Sequence, residues 1–506
     1  MPHGRLFHFA LAVVVAHLAV VAAAGSATGQ SAADYAALEK VQHEHEDLRV
    51  AYDRRLQELL ADCDREGLAD EAAVIRALSN RRDPEKLQVR TLPRHVQEPL
   101  SAELAPVRLE ALKSLRRIRG DHAAELYLLS RRAVARGFSS YAYGVLQDVV
   151  AADPDHAAAR RLLGFVRSGD EWVTPFEKQQ SLRNVWHDKY GWLPKAHVER
   201  YEKGERYLNR RWVSAAQEAE IRRDFRHAWE IRTEHFLVKT NHSLERGVEV
   251  ARKLEIFHDY FVRTFAGFFN TPQQLRQLFE GGAARSPRVA NPKPYVVYYY
   301  RTKDEYQQTL IGKIPQIGIT NGLYYTTDRI SYFFHDEDVE PTLYHEATHQ
   351  MFYESVAGDR MIAEAGNFWI IEGIACYLES FRVENGSYSV GDPNYVRFLN
   401  ARFRYLNDGY YVPLARFASH GMRAFQMDTQ NIARNYSQAS GLAHFFMHHD
   451  GGRHRDALVT HLTQLYASRP DRVQSLAELT GVSFAELDKQ YGEYMKAMEA
   501  KTRGER

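Results

Sequence analysis

The sequence predicts an α+β fold in two parts, an all-α N-terminal region and a domain whose few short strands precede a long series of helices. Three observations carry this. From about Ser31 to Asp170, Ala, Leu, Glu and Arg dominate and β-branched runs are scarce. Between Ile231 and Phe334, β-prone stretches alternate with helical ones. After Asp338 the pattern is helical almost to the end. The chain has 506 residues, 44% of them hydrophobic and 26% charged, which suits two or three domains with ample core. A formal net charge of +1 gives no electrostatic footprint for nucleic acid. Two cysteines, Cys63 and Cys376, exclude a disulfide framework and a cysteine-built zinc module.

Taken in order, residues 1–27 read as a secretory signal peptide. Arg5 precedes an apolar run from Leu6 to Ala24, and Ala22-Ala23-Ala24 or Gly25-Ser26-Ala27 offers a small-x-small cleavage site. A retained anchor is the alternative, since the run approaches spanning length. No later segment does, so the mature protein is expected to be soluble, secreted or periplasmic, with no stable membrane insertion.

Residues 28–170 form the helical region. Ala123–Arg136 and Phe138–Ala152 read as helices separated by Gly137, with Asp153-Pro154 ending the second and His156–Val166 starting a third. Leu129, Ala142, Leu146 and Pro154 fall where a tetratricopeptide-like helix pair places its packing residues. Such a unit serves either as a partner-binding groove or as a spacer packed on its neighbour. A charged, aromatic segment at 171–227 is expected to be a helical bridge.

The second domain is placed at 228–497, before a charged tail at 498–506. Ile231–Thr240 alternates as a strand, and Ser243–Phe268 is a long amphipathic helix. Gly281–Pro294, with three prolines, is a loop. Tyr295–Tyr300 is a strand and Lys303–Leu310 a short helix. Leu323–Tyr325 and Ile330–Phe334 make a hairpin turning at Thr327-Asp328, with Ile330–Phe334 as the natural sheet edge.

The chemistry gathers after Asp338. His345-Glu346-Ala347-Thr348-His349 is a His-Glu-x-x-His motif. On a helix the two histidines fall one turn apart, so both imidazoles reach one metal ion. Pro341 suits the first turn, and Asp338 or Glu340 complements the N-terminal dipole. With 23 histidines in the chain the motif alone does not decide the matter. Zinc needs a third protein ligand. A third histidine six residues on is absent, because that position is Ser355. Glu372 is the better source: it is the lone charge in the apolar stretch Phe368–Leu378, which Asn367 is placed to cap, and a carboxylate there requires a partner. Glu354 and Glu364 are rival ligands, and a salt bridge is the plain alternative for Glu372.

His-Glu-x-x-His followed by Trp369-x-x-Glu372-Gly373-x-Ala375-x-Tyr377-x-Glu379 resembles the gluzincin metallopeptidases, the superfamily of thermolysin and aminopeptidase N. Within it the sequence looks closest to an uncharacterised family of secreted bacterial proteins. The resemblance runs from about Ala228 to the C-terminus and is tightest over Tyr344–Glu379. It implies a gluzincin-like catalytic domain, one Zn2+ per chain held by His345, His349 and Glu372, and Glu346 as general base. The spacing from His349 to Glu372 is longer than in the best-known members, leaving room for an insertion at Gly358–Gly366. Asn435-Tyr436-Ser437-Gln438-Ala439-Ser440-Gly441 resembles the segment carrying the catalytic tyrosine of aminopeptidase N, which implies Tyr436 as oxyanion donor, with His444 in reserve. His448 and His449 read as solvated or capping.

Aminopeptidases of the superfamily carry Gly-x-Met-Glu-Asn before the active helix, where this chain has Thr320-Asn321-Gly322-Leu323-Tyr324-Tyr325. The missing glutamate tilts the expectation to an endopeptidase acting on peptide or protein. Cys376 reads as a small buried hydrophobe, and Glu379 either orients a ligand histidine or is solvated. Two other readings stand beside this one: a catalytically silent scaffold binding a protein partner through its N-terminal helices, and a zinc amidase acting on cell-wall peptide.

Overall fold

Helix-forming composition at the N-terminus produces three long helices, Ala32–Arg65, Pro106–Ala135 and Ser139–Ala152. The computed structural model describes residues 32–79, 88–90, 92–281, 293–355, 362–384, 387–467 and 472–504. The expected signal peptide and most of the loop at Gly281–Pro294 lie outside these residues. No helix among them is long and apolar enough to cross a membrane. Gly137, at φ +93°, separates the second and third helices, whose contact buries Leu129, Ala142 and Leu146 completely. The next helix is shorter than expected. It spans Ala157–Leu162, begins under the His156 side chain, and stops before Gly164 (φ +90°) turns the chain into a strand.

The bridge at 171–227 is not simply helical. Hairpins pair Val166–Ser168 with Glu171–Val173, Asn184–His187 with Gly191–Pro194, and Glu205–Leu208 with Arg211–Ser214. A short helix follows each one: Pro175–Gln180, Val198–Glu202 and Ala215–Arg222. Trp172, Trp192 and Trp212 each stand second in the second strand of their hairpin, so the segment is an internal repeat with a 20-residue period. Strands this short carry too few residues for the period-two signal, and the capping helices supply the helical one.

The second domain is built on a five-stranded sheet in the order Gly322–Tyr325, Ile330–Phe334, Tyr295–Tyr300, Phe236–Thr240, Trp229–Arg232. The three central strands run parallel and the two outer strands antiparallel to their neighbours. The sheet edge beside helix Glu340–Glu354 is therefore Gly322–Tyr325, not Ile330–Phe334. Ile330–Phe334 is interior because Tyr295–Tyr300 pairs with its other side. The expected single strand Ile231–Thr240 is a hairpin, broken at Thr233, whose N–H turns back to Phe236 O. Helix Leu244–Thr264 packs on the sheet so closely that a side chain at Gly247 would meet Ile231 Cδ1 at 2.4 Å.

Helices then cover the sheet. Those that matter below are Glu340–Glu354, Phe368–Leu378, Val396–Leu406 and Ile432–Gly452. The final helix, Phe484–Gly504, runs through the expected tail. Residues 498–504 are helical there because Arg402 Nε donates to Glu499 at 2.8 Å and Thr502 is buried. The N-terminal region is part of the same packed body. Its core takes in Ala266, Leu275, Leu278 and Phe279 from the second domain, and Ser139 and Ser140 bond Asp456 Oδ1. Its strand Gln88–Arg90 also pairs antiparallel with Ser387–Ser389. The whole is a mixed α+β protein.

Candidate metal centre

The histidine helix, Glu340–Glu354, starts as its sequence requires. Pro341 occupies the first turn, where its missing N–H costs nothing, and Glu340 pairs with Lys253. Leu343, Ala347 and Met351 are buried, fixing which face looks inward. Gln350, fully buried, accepts from Ser331 Oγ at 2.8 Å and donates to Val296 O at 3.2 Å, which pins the helix to the sheet. His345, Glu346 and His349 fall on the half-buried face.

The glutamate helix, Phe368–Leu378, crosses the histidine helix and carries Glu372, 8% exposed. Asn367 occupies its N-cap position, but in the left-handed region (φ +61°), and its side chain makes no capping bond. Its N–H donates instead to Ala418 O at 2.7 Å. Gly373 sets the approach of the third helix, Ile432–Gly452. A Cβ there would stand 2.5 Å from Ala439 O, so only glycine permits this crossing.

These elements bring the three expected ligands together, with Glu346 and Tyr436 beside them. His345 Nε2 and His349 Nε2 are 3.1 Å apart, and Glu372 Oε2 lies 3.5 Å and 3.8 Å from them. Zinc bonds of about 2.0–2.2 Å at a tetrahedral angle place ligand atoms about 3.3 Å apart, so the triangle fits one such ion. The imidazole planes are inclined at 72°, and in-plane lone pairs can converge. Glu346 stands outside this triangle, its Oε2 accepting the N–H of edge residue Tyr324 at 2.7 Å. Tyr436, half-buried, lies beside Glu372 and helps keep its carboxylate ionised.

The electrostatics follow from this packing. Burial opposes charge on His345, but hydrogen bonds with Cys376, Glu372 and Glu379 outweigh it and hold the imidazole well above its ordinary value. Burial puts His349 below its ordinary value. Glu372 stays below the usual carboxylate range despite burial, through hydrogen bonding with His345 and the charge of His349. Burial, then the Glu372 carboxylate, pushes the Tyr436 phenol up, so it remains an O–H donor at neutral pH.

The rivals fall away. Glu354 accepts from Gln350 Nε2 at 2.8 Å, and Glu364 is exposed. His444 is no reserve catalyst. It is 4% exposed, bonded to Gly391 O (3.0 Å) and Tyr494 Oη (2.7 Å), and stacked on Phe398 at 3.7 Å. His448 is bonded to Tyr377 Oη at 3.0 Å and stacks on His444, so it is neither solvated nor capping. His449 closes the regular part of its helix, where the backbone leaves helical angles. Cys376 is fully buried, and burial pushes its thiol up.

Glu379 is 5% exposed rather than solvated, and it accepts from His345 Nδ1 at 2.8 Å. Burial would raise its carboxyl, but hydrogen bonds from His345 and Arg397 hold it down to about 2. Arg397 and Tyr395, which complete this network, were not legible in the sequence, since nothing in Asp392-Pro393-Asn394-Tyr395-Val396-Arg397 marks a site. The Trp repeat at 172, 192 and 212 did carry a signal, a fixed period.

A comparison with protein families matches residues 340–471, the stretch containing all three of these helices, to a family described as "Protein of unknown function (DUF1570)". No curated protein matches the chain.

Proposed function

We propose that the chain is a secreted zinc-dependent peptidase with a gluzincin-like catalytic domain and a tetratricopeptide-like N-terminal region, acting as an endopeptidase. One observation carries the reading: two imidazole nitrogens and a buried carboxylate oxygen form a triangle of 3.1, 3.5 and 3.8 Å, and the helix of the two imidazoles also carries Glu346. His345, His349 and Glu372 would hold the ion. When bound, zinc supplies Lewis-acid polarisation of a carbonyl and lowers the pKa of a water.

The chain's own residues do the rest. Glu346 takes the proton of the attacking water and returns it to the leaving nitrogen, and the Tyr324 N–H fixes its carboxylate for that transfer. Tyr436 donates its O–H to the developing oxyanion. A substrate strand adds along the edge Gly322–Tyr325 through the outward backbone groups that remain, since the Tyr324 N–H is held by Glu346. Hydrolysis of an amide in cell-wall peptide would use the same groups.

Elemental analysis of purified protein tests this. About one zinc per chain is expected in the wild type and little in Glu372→Ala. Glu346→Gln should keep the metal and lose about 10²–10⁴-fold in peptide cleavage. A folded wild type that binds no zinc, even after reloading, would hand the case to a non-catalytic scaffold. Cleavage that persists in Glu346→Gln would refute the mechanism.

A further inference from the structure

We infer that Arg397, assisted by Tyr395, is a positioning residue for the metal ligand His345, acting through Glu379; the inference rests on the zinc reading above. Arg397 grips Glu379 as a two-pronged fork, Nε to Oε2 at 2.7 Å and Nη2 to Oε1 at 2.9 Å. Tyr395 Oη donates to Oε2 at 3.1 Å, and His345 Nδ1 donates to Oε1 at 2.8 Å. Among the described residues, every donor on this carboxylate other than His345 thus comes from the start of helix Val396–Leu406 or the residue before it.

The geometry asks more of Arg397 than neutralisation. A planar guanidinium bonded to both oxygens fixes the plane of the carboxylate, which a lysine's point charge cannot do. The plane of Glu379 sets the direction from which Oε1 receives the Nδ1–H of His345. A neutral imidazole held at Nδ1–H presents Nε2 as a lone pair, and Nε2 is the atom facing His349 and Glu372. Rotating the carboxylate would release both the ring and its tautomer. Tyr395 and Glu379 are themselves braced, because Arg382 lies over the Tyr395 ring at 5.3 Å and donates to Glu379 O at 2.9 Å. The alternative is a plain staple between two helices, which would contribute stability and leave metal affinity alone.

Zinc dissociation constants measured by chelator competition on the full chain separate the two. Arg397→Met should weaken zinc about tenfold and Glu379→Gln about 10–100-fold. The double variant should be no weaker than Glu379→Gln alone, since Arg397 acts through that carboxylate. Cobalt-substituted Arg397→Met should show altered visible bands, a signature that a change in stability alone does not produce. Arg397→Lys keeps the charge and should fold, yet recover only part of the affinity. Wild-type zinc affinity in a folded Arg397→Met or Arg397→Lys overturns the inference, as do additive losses in the double variant. A wild type that binds no zinc overturns the zinc reading itself instead.

Discussion

Among the described residues, two clusters have the same composition, two histidines and a glutamate with ligand atoms within 4.8 Å of one another. One is His345, His349 and Glu372. The other is His235, Glu255 and His258, on the wall of a cleft of about 1080 Å³ that the first cluster does not line. In the first, the rings meet edge to face and their Nε2 atoms converge. In the second, the rings are stacked 3.8 Å apart and only 19° from parallel. An imidazole lone pair lies in its ring plane, and planes so nearly parallel meet far beyond a bond of about 2.1 Å. His235 Nδ1 is also spent on Glu255 at 2.7 Å. Composition and proximity therefore do not separate the two clusters; the relative orientation of the rings does, and it suits a shared ion only in the first. A helix imposes that orientation on His345 and His349, whereas His235 follows a strand turn and His258 sits on a neighbouring helix.

The largest effect expected is all or none. Removing His349 should abolish stoichiometric zinc, while His258→Ala should leave about one zinc per chain. Two zinc ions in the wild type, falling to one in His258→Ala, would break the comparison outright.

A second contrast sharpens what holds the first cluster in place. Gly373 and Gly120 both sit within helices, but a Cβ at Gly373 meets the Ala439 backbone, while one at Gly120 meets nothing within 4 Å. Gly→Ala in an open helical position stabilises by about 0.4–1 kcal/mol. At Gly373 the contact is backbone, which cannot yield, so overpacking should cost about 1–3 kcal/mol. The helix bearing Tyr436 would then stand off from Glu372. Thermal unfolding of the two variants should move in opposite directions; a rise in Tm for Gly373→Ala would show that the crossing is not as tight as described.

The contrast also shows what the sequence makes legible. The helix of His345 and His349 was readable because one turn of helix fixes their spacing, and Glu372 because a lone charge in Phe368–Leu378 needs a partner. Strands such as Tyr295–Tyr300 and Ile330–Phe334 were equally plain. The edge position was not, because pairing of Tyr295–Tyr300 with both Phe236–Thr240 and Ile330–Phe334 is a long-range event that leaves no local pattern. Arg397 was hidden for the same reason: its role exists only once Glu379 turns towards His345. The hairpins carrying Trp172, Trp192 and Trp212 were hidden differently, since their period was present but each strand was too short to announce itself.

The smallest effect concerns the stacked pair as a stability element rather than a ligand set. His258 is 3% exposed and its Nε2 has no partner among the described residues. Burial, then the charges of His235 and Arg263, hold its pKa well below the ordinary value of 6.5. Its folded pKa therefore lies below its unfolded one, so the unfolded chain takes up the proton first. The stability it contributes is complete above about pH 6.5 and is lost as pH falls below it. His235 has the opposite sign: burial lowers it, but Glu255 outweighs burial and raises it, so its contribution is lost as pH rises. His258→Phe keeps a ring on the stack and removes the ionisation. Its Tm should fall less steeply than the wild type's below pH 6.5, with zinc content unchanged. His122, His444, His454 and His461, each held down to about 4 chiefly by burial, remain in the variant, so the acid slope should shrink without vanishing. Identical acid limbs in the two proteins would mean that His258 is no more reluctant to take a proton in the folded chain than in the unfolded one.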